Sequence, residues 1–122
     1  MPDPNLATVK RYWDAINAGD ADGYLATFSS GGVAHDPANK PPLRTDAQRR
    51  TFIEALFDKF PTRRFTIDFM TPCGDATAAK WSLAAIASDG SLVVTQGIDV
   101  YRHADDGRIR ELWAYPEAPP AQ

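Results

Sequence analysis

The spacing of apolar residues predicts three helices in the first half of the chain. The first spans about residues 4–18 and ends at Gly19, and its apolar residues recur every three or four positions: Leu6, Val9, Trp13 and Ile16. Asp20 caps a second, shorter helix, which the run SSGG ends. Thr45 is the predicted N-cap of a third helix, which ends at Pro61 and carries a stripe made of Phe52, Leu56 and Phe60.

Strand patterns surround and follow the third helix. A short strand is expected over residues 33–36, and four longer ones over about 64–71, 76–87, 92–103 and 108–115, separated by turn residues. Helices followed by strands indicate an α+β domain, with three helices on the concave face of a curved antiparallel sheet and an apolar pocket between them. We expect one domain over residues 1–116 and a flexible tail over 117–122.

Side-chain alternation in the strand over 92–103 separates two faces, and neither is typical of a water-facing surface. One face carries Thr95, Gly97, Asp99 and Tyr101, and the other carries Val94, Gln96, Ile98 and Val100. Helices can cover only one face in a chain of this length. A second copy is the simplest cover for the other, where Trp113 and Tyr115 would fit, so we expect a homodimer through the sheet.

Composition and charge favour a small, weakly charged molecule as the binding partner. The net charge of −3 comes without a basic stripe, which argues against nucleic acid or an anionic membrane surface. No apolar run reaches the length of a membrane span, and the first residues do not read as a secretory signal. Cys73 is the only cysteine, so an intramolecular disulfide is impossible, and a reducing, cytoplasmic location is expected.

Three side chains are candidates for chemistry in the pocket. Asp99 would point into apolar surroundings, where a carboxyl stays protonated and can donate a hydrogen bond, unless an arginine of the last strand pairs with it. Tyr12 lies beside the stripe of the first helix, either as a core residue or with its hydroxyl in the cavity. Asp36 is either a turn residue before Pro37 or a half-buried carboxylate, and His35 faces the opposite way.

Two segments of the chain resemble a known family. VKRYWDAINAGDADGYLATFSSGGVAHDP is similar to the opening of the ketosteroid isomerases, and GIDVYRHADDGRIREL is similar to their later strand pair. These enzymes belong to the nuclear-transport-factor-like and SnoaL-like superfamily, which shares a cone-shaped, cystatin-like fold. This chain departs from their pattern at Ile53, where some isomerases have a second tyrosine, and at Gly97, where a proline is usual.

The resemblance implies an isomerase in which Asp36 is the base and Tyr12 and protonated Asp99 form the oxyanion hole. Asp36 would move a proton next to the ketone of a flat apolar substrate such as a steroid or polyketide, without a metal or an organic cofactor. Ten residues are expected to form the pocket wall: Tyr24, Phe28, Phe52, Leu56, Phe69, Trp81, Thr95, Gly97, Tyr101 and Leu112. His103, at a strand end beside acidic turn residues, is expected to be solvated.

Two alternatives remain open at this point. A SnoaL-like polyketide cyclase would use Asp36 or Asp99 as the acid–base group for an aldol closure and would need a wider pocket mouth. A protein that binds a small molecule without catalysis would use Asp36 only to cap the loop before Pro37.

Overall fold

The protein is described by a computed structural model that covers residues 3–117. Three helices and five strands follow one another in the order α1 (Pro4–Ala18), α2 (Ala21–Ala26), β1 (Phe28–His35), α3 (Asp46–Lys59), β2 (Thr62–Cys73), β3 (Ala76–Ile86), β4 (Leu92–His103) and β5 (Ile109–Pro116). The helices pack against one face of a single five-stranded sheet, so the predicted α+β class is confirmed.

The helix ends lie where the sequence signals place them. The Asp3 carboxylate caps α1, and Gly19 ends it in the left-handed conformation with φ 71°. Asp20 caps α2 by accepting a hydrogen bond from the backbone of Gly23. Thr45 and Gln48 form a reciprocal capping box at the start of α3, because each side chain bonds the other residue's backbone N–H.

The sheet is mixed rather than wholly antiparallel. Its strand order is β1-β5-β4-β3-β2, and β1 runs parallel to β5 while the other pairs are antiparallel. The first strand also starts earlier than expected: α2 ends at Ala26, before the run SSGG, but β1 begins at Phe28 rather than at residue 33 and includes that run. At Gly32 an added Cβ would lie 3.0 Å from the carbonyl oxygen of Ile109, so glycine lets β1 approach β5 closely at this irregular register.

The two faces of β4 match the predicted alternation. Gly97, Asp99, Tyr101 and His103 are buried on the helical side. Val94 and Ile98 point to the other side and are 74% and 48% exposed, so the outer face of the sheet is apolar and uncovered in a single chain. The helices therefore enclose a core and a cavity on the concave side only.

None of the helices within residues 3–117 is long and apolar enough to cross a membrane. Of the predicted tail, only Glu117 is described, and its backbone N–H donates to the Gln96 carbonyl at 2.8 Å. The remaining tail residues, 118–122, lie outside the described part of the chain.

Candidate active site

A cavity of about 690 Å³ lies between α1, α3 and the concave face of the sheet. Its apolar wall combines residues from all of these elements: Tyr12, Trp13, Ile16, Phe52, Ile53, Leu56, Phe65, Trp81, Leu83, Val93 and Ala114. Its lining also includes the carboxyl groups of Asp36 and Asp99, together with those of the exposed residues Asp89 and Glu117. A mostly apolar cavity of this size with a few polar groups is typical of a small-molecule site.

Asp36 lies where β1 ends and the loop toward α3 begins. The Asp36–Pro37 peptide bond is cis, and the loop is anchored by a hydrogen bond of 2.8 Å from Ala38 N–H to the Ala114 carbonyl. The residue is half-buried, and burial raises the pKa of its carboxyl to about 7. Such a group holds and releases a proton near neutral pH, as a catalytic base must.

A buried arginine of α3 binds the middle of β1. Arg49 is 2% exposed, and its guanidinium donates to the Gly32 carbonyl and, at 2.6 Å, to Asp46. The guanidinium carbon lies 4.8 Å from the centre of the Phe28 ring. Sequence reasoning missed this contact, although Arg49 precedes Ile53 by four positions and therefore shares the inward face of α3.

Asp99 is buried in the floor of the cavity and accepts two hydrogen bonds. The indole Nε1 of Trp81 donates to Oδ1 at 2.9 Å, and the Tyr101 hydroxyl donates to Oδ2 at 3.2 Å. Burial and the nearby charge of Asp36 raise the pKa of Asp99 well above its usual value, against the opposing effect of the two donors. The surroundings of the carboxyl therefore favour its protonated form.

The arginines of the last strand and its turn do not pair with Asp99. Arg108 bonds Asp106 at 2.8 Å, and Arg110 approaches Asp75 at 3.5 Å. The alternative of a cross-strand arginine partner for Asp99 is therefore wrong, because both cations are engaged by carboxylates at the turns.

Tyr12 lies on α1 over the same cavity, inside a cluster of aromatic rings. Its ring centre is 5.0 Å from that of Trp13, 5.4 Å from Tyr24 and 5.5 Å from Tyr101. Burial, followed by the proximity of Tyr24 and Asp99, raises its pKa well above the usual value, so the hydroxyl is a neutral donor.

The expected wall residues fall into three groups. Phe52, Leu56, Trp81 and Thr95 line the cavity. Four others are buried behind it: Tyr24, Phe28, Tyr101 and Leu112. Phe69 and Gly97 do not form wall at all, since Phe69 is 64% exposed and the Trp81 ring covers Gly97.

The position of Phe69 has a clear cause in β2. The pairing with β3 shifts register between Ile67 and Phe69, so one extra residue, Asp68, reverses the alternation of side chains. Phe65 is buried before this bulge, whereas Phe69 points outward after it. Simple alternation along the strand could not have predicted this reversal.

The two histidines lie apart, and neither lines the cavity. His35 points away from it, as expected, with Nε2 2.7 Å from Glu111 and its ring stacked on Trp113. The expectation that His103 is solvated is wrong, because it is 3% exposed and follows Tyr101 on the inward face of β4. His103 Nδ1–H donates to the Gly107 carbonyl at 2.8 Å, and burial lowers its pKa.

Solved structures with this fold include isomerase, cyclase and ligand-bound examples. A Δ5-3-ketosteroid isomerase from Mycobacterium sp. superposes with a TM-score of 0.78 at 24% identity, covering 93% of each chain. A putative SnoaL-like polyketide cyclase from Jannaschia sp. CCS1 has a TM-score of 0.80 at 21% identity, covering 96% of this chain and 94% of that one.

A third structure carries a ligand. A Mycobacterium tuberculosis protein in complex with estradiol-17β-hemisuccinate has a TM-score of 0.83 at 20% identity, covering 93% of this chain and 94% of that one. At these identities the likeness shows a shared cone-shaped fold and not a shared activity. The family model described as a SnoaL-like domain matches residues 9–112, most of the chain. The chain therefore belongs to the SnoaL-like domain family.

Proposed function

We propose that the protein is a ketosteroid-isomerase-like enzyme that moves a double bond next to a ketone in a flat apolar substrate. The observation that carries this proposal is that one apolar cavity holds a half-buried carboxyl and a fully buried one: the pKa of Asp36 is raised to about 7, and that of Asp99 is raised well above its usual value. The solved ketosteroid isomerase and the estradiol-hemisuccinate complex of the same fold support a steroid-like substrate.

Each group has one role in the proposed reaction. The Asp36 carboxylate takes a proton from the carbon between the ketone and the double bond, leaving a dienolate. Tyr12 and protonated Asp99 donate hydrogen bonds to the dienolate oxygen, which strengthen as negative charge develops there. Asp36 then returns the same proton to the far end of the conjugated system, so no atom is gained or lost.

The direct test is a β,γ-unsaturated 3-ketosteroid, followed by the absorbance of the conjugated enone that isomerisation produces. We expect a rate far above that of buffer, rising with pH to a plateau through an apparent pKa of about 7, as Asp36 ionises. Asp36→Asn should abolish turnover and leave steroid affinity nearly unchanged. A rate equal to that of buffer, or full turnover by Asp36→Asn, would refute the assignment.

Cyclase chemistry is the second candidate, because a putative SnoaL-like polyketide cyclase shares the fold. An aldol closure would also use Asp36 as the base, and its enolate would also need donors such as Tyr12 and Asp99. The same protein mixed with a linear polyketide ester separates the two activities, because only closure removes the open-chain ketone without forming an enone. Binding of the steroid without turnover of either substrate would favour a non-catalytic binding protein.

We also propose that two copies pair through the outer face of the sheet. Exposed large apolar side chains on this face come from three neighbouring strands: Ile86, Leu92, Val94, Ile98 and Tyr115. Their size and continuity across β3, β4 and β5 support a protein interface. The cavity opens on the other side of the sheet and would stay accessible in such a dimer.

We propose that the protein resides in the cytoplasm. Cys73, the only cysteine of the sequence, is a free and exposed thiol. A free exposed thiol persists most readily in a reducing compartment. Localisation of a fluorescent fusion in the native host would test this inference.

A further inference from the structure

We infer that Trp81 and Gly97 act together as positioning residues that fix the orientation of the Asp99 carboxyl, with its proton on Oδ2. This inference rests on the proposed function in one respect: in the proposed reaction the proton on Oδ2 forms the hydrogen bond from Asp99 to the substrate oxygen. Asp99 itself touches the substrate in that proposal, whereas Trp81 acts through Asp99. Three observations support the inference: the hydrogen bond from Trp81 to Asp99, the register that pairs Trp81 with Gly97, and the absence of a Cβ at Gly97.

Trp81 and Gly97 face each other across β3 and β4. They are direct register partners, and Asp99 is the next residue along β4 on the same face. A Cβ added at Gly97 would lie 2.8 Å from Cε2 of the indole and 2.9 Å from the Pro116 Cα. Only glycine therefore leaves room for the indole over β4 at this position, where Nε1 lies 2.9 Å from Asp99 Oδ1.

The chemistry of the indole decides which carboxyl oxygen carries the proton. Indole Nε1–H can only donate, so Oδ1 must remain an acceptor, and the carbonyl form of the carboxyl oxygen is the better acceptor. The proton then belongs on Oδ2, beside the Tyr101 hydroxyl, which can donate or accept. A donor on Oδ1 also polarises the carboxyl and strengthens the O–H as a donor toward substrate.

The other titratable groups facing Asp99 do not supply this orientation. They are Tyr12 from α1, Tyr24 from α2, Asp36 at the end of β1 and Tyr101 within β4. Three are phenols, and Asp36 is an acid whose charge opposes ionisation of Asp99. Trp81 is therefore the donor-only group in direct contact with the carboxyl among the described residues.

The first experiment needs no substrate and measures the pKa of Asp99 by carbon NMR of labelled carboxyl groups. Replacing Trp81 by phenylalanine, or by the isosteric benzothienylalanine, removes the N–H that stabilises the ionised form. We expect the pKa of Asp99 to rise by about one unit in both, since a hydrogen bond to a charged group has that size. Benzothienylalanine at Trp113, on the outer face, is the control and should change nothing. An unchanged Asp99 pKa overturns the inference, whether or not the protein isomerises steroids.

The second experiment is a double-mutant cycle on steroid turnover. Trp81→Phe and Gly97→Ala should each lower kcat by at least tenfold with KM within about threefold, because both remove the N–H contact with Asp99. In the double variant the second substitution should cost less than twofold further. If the loss of kcat in the double variant equals the product of the two single losses, the inference is overturned. If the wild type shows no turnover but the pKa shifts appear, the proposed reaction fails and the positioning of Asp99 stands.

Discussion

Two aspartates in one cavity acquire different chemistry from their immediate neighbours. Asp36 is half-buried, and burial is the cause of its raised pKa of about 7. Asp99 is deeper, holds two hydrogen bonds and carries a pKa raised further by Asp36. When Asp36 is ionised, its charge helps to keep Asp99 protonated. In the proposed reaction Asp36 accepts a proton while Asp99 continues to donate a hydrogen bond.

The raised pKa of Asp36 makes the stability of the fold depend on pH. An acid whose folded pKa lies above its unfolded value holds its proton more tightly in the folded state. The stabilisation is complete below about pH 4 and is lost as pH rises through about 7. Asparagine at this position cannot ionise. We therefore expect Asp36→Asn to raise the free energy of unfolding by roughly 2–4 kcal/mol at pH 8 and to change that free energy little at pH 4.

Urea unfolding at pH 4, 6 and 8 would measure this difference between the wild type and Asp36→Asn. Asp58→Asn is the matched control, because Asp58 is an exposed aspartate on α3, away from the cavity. A difference between Asp36→Asn and the wild type that stays constant across this pH range would contradict the proposed burial of the charge.

Substitutions at Asp99 test whether this residue acts on the substrate as a neutral hydrogen-bond donor or as a charged group. Asparagine keeps an oxygen that can accept from Trp81 and an amide that can donate toward substrate, whereas alanine keeps neither. We expect Asp99→Ala to lower kcat by about 10²- to 10³-fold, and Asp99→Asn to lower it at least tenfold less. Steady-state rates with the 3-ketosteroid decide the point, and equal losses would remove the neutral-donor role.

For individual residues, the sequence predicts which side chains face the cavity but not all of the contacts that they make. Alternation along β4 is enough to turn Asp99 inward, and the same rule extended two positions past Tyr101 would have buried His103. The partner of Asp99 could not be foreseen, because the Trp81 contact depends on the exact register of β3 against β4. Long-range register is decided by the whole sheet and leaves no local sequence signal.

Among the secondary-structure elements, α3 has the clearest local start signal. Thr45 accepts from the Gln48 N–H at 3.1 Å, and the Gln48 side chain accepts from the backbone of Arg44 and Thr45. Thr45→Ala removes one partner of this box, and we expect it to cost about 1 kcal/mol of unfolding free energy. Thr51→Ala, at an exposed position within α3, is the control for losing a threonine side chain.

Thermal or urea unfolding of both threonine variants measures the effect. Because α3 positions Arg49, a weakened start of the helix should also loosen the hold on Gly32 and β1. A loss for Thr45→Ala no larger than that for Thr51→Ala would show that packing, rather than the cap, fixes the start of α3.

Helices were easier to place than strands because their end signals are local. The caps at Asp20 and Thr45 and the stop at Gly19 needed only a few neighbouring residues. The parallel pairing of β1 with β5 joins segments about 80 residues apart, and the bulge at Asp68 depends on the partner strand. These features reflect tertiary pairing, which periodicity alone does not encode.

Over the whole molecule, the uneven covering of the sheet leads to the prediction of a dimer. The concave face is covered by three helices, whereas Val94 and Ile98 on the outer face are 74% and 48% exposed. Burying such a surface against a second copy would gain roughly 25 cal/mol for each Å² of apolar area removed from water. A lysine at the centre of the interface would have to be buried without a partner.

We therefore expect the wild type to have twice the mass of one chain by light scattering at micromolar concentration, and Val94→Lys and Ile98→Lys to shift it to the mass of one chain. Ala55→Lys, at an exposed position on α3, adds the same charge on the helical side and should leave the dimer intact. Steroid affinity should survive in the monomeric Ile98→Lys variant, because Ile98 does not line the cavity. A wild type with the mass of one chain would contradict the dimer without affecting the assignment of Asp36 and Asp99, since these residues lie on the opposite side of the sheet.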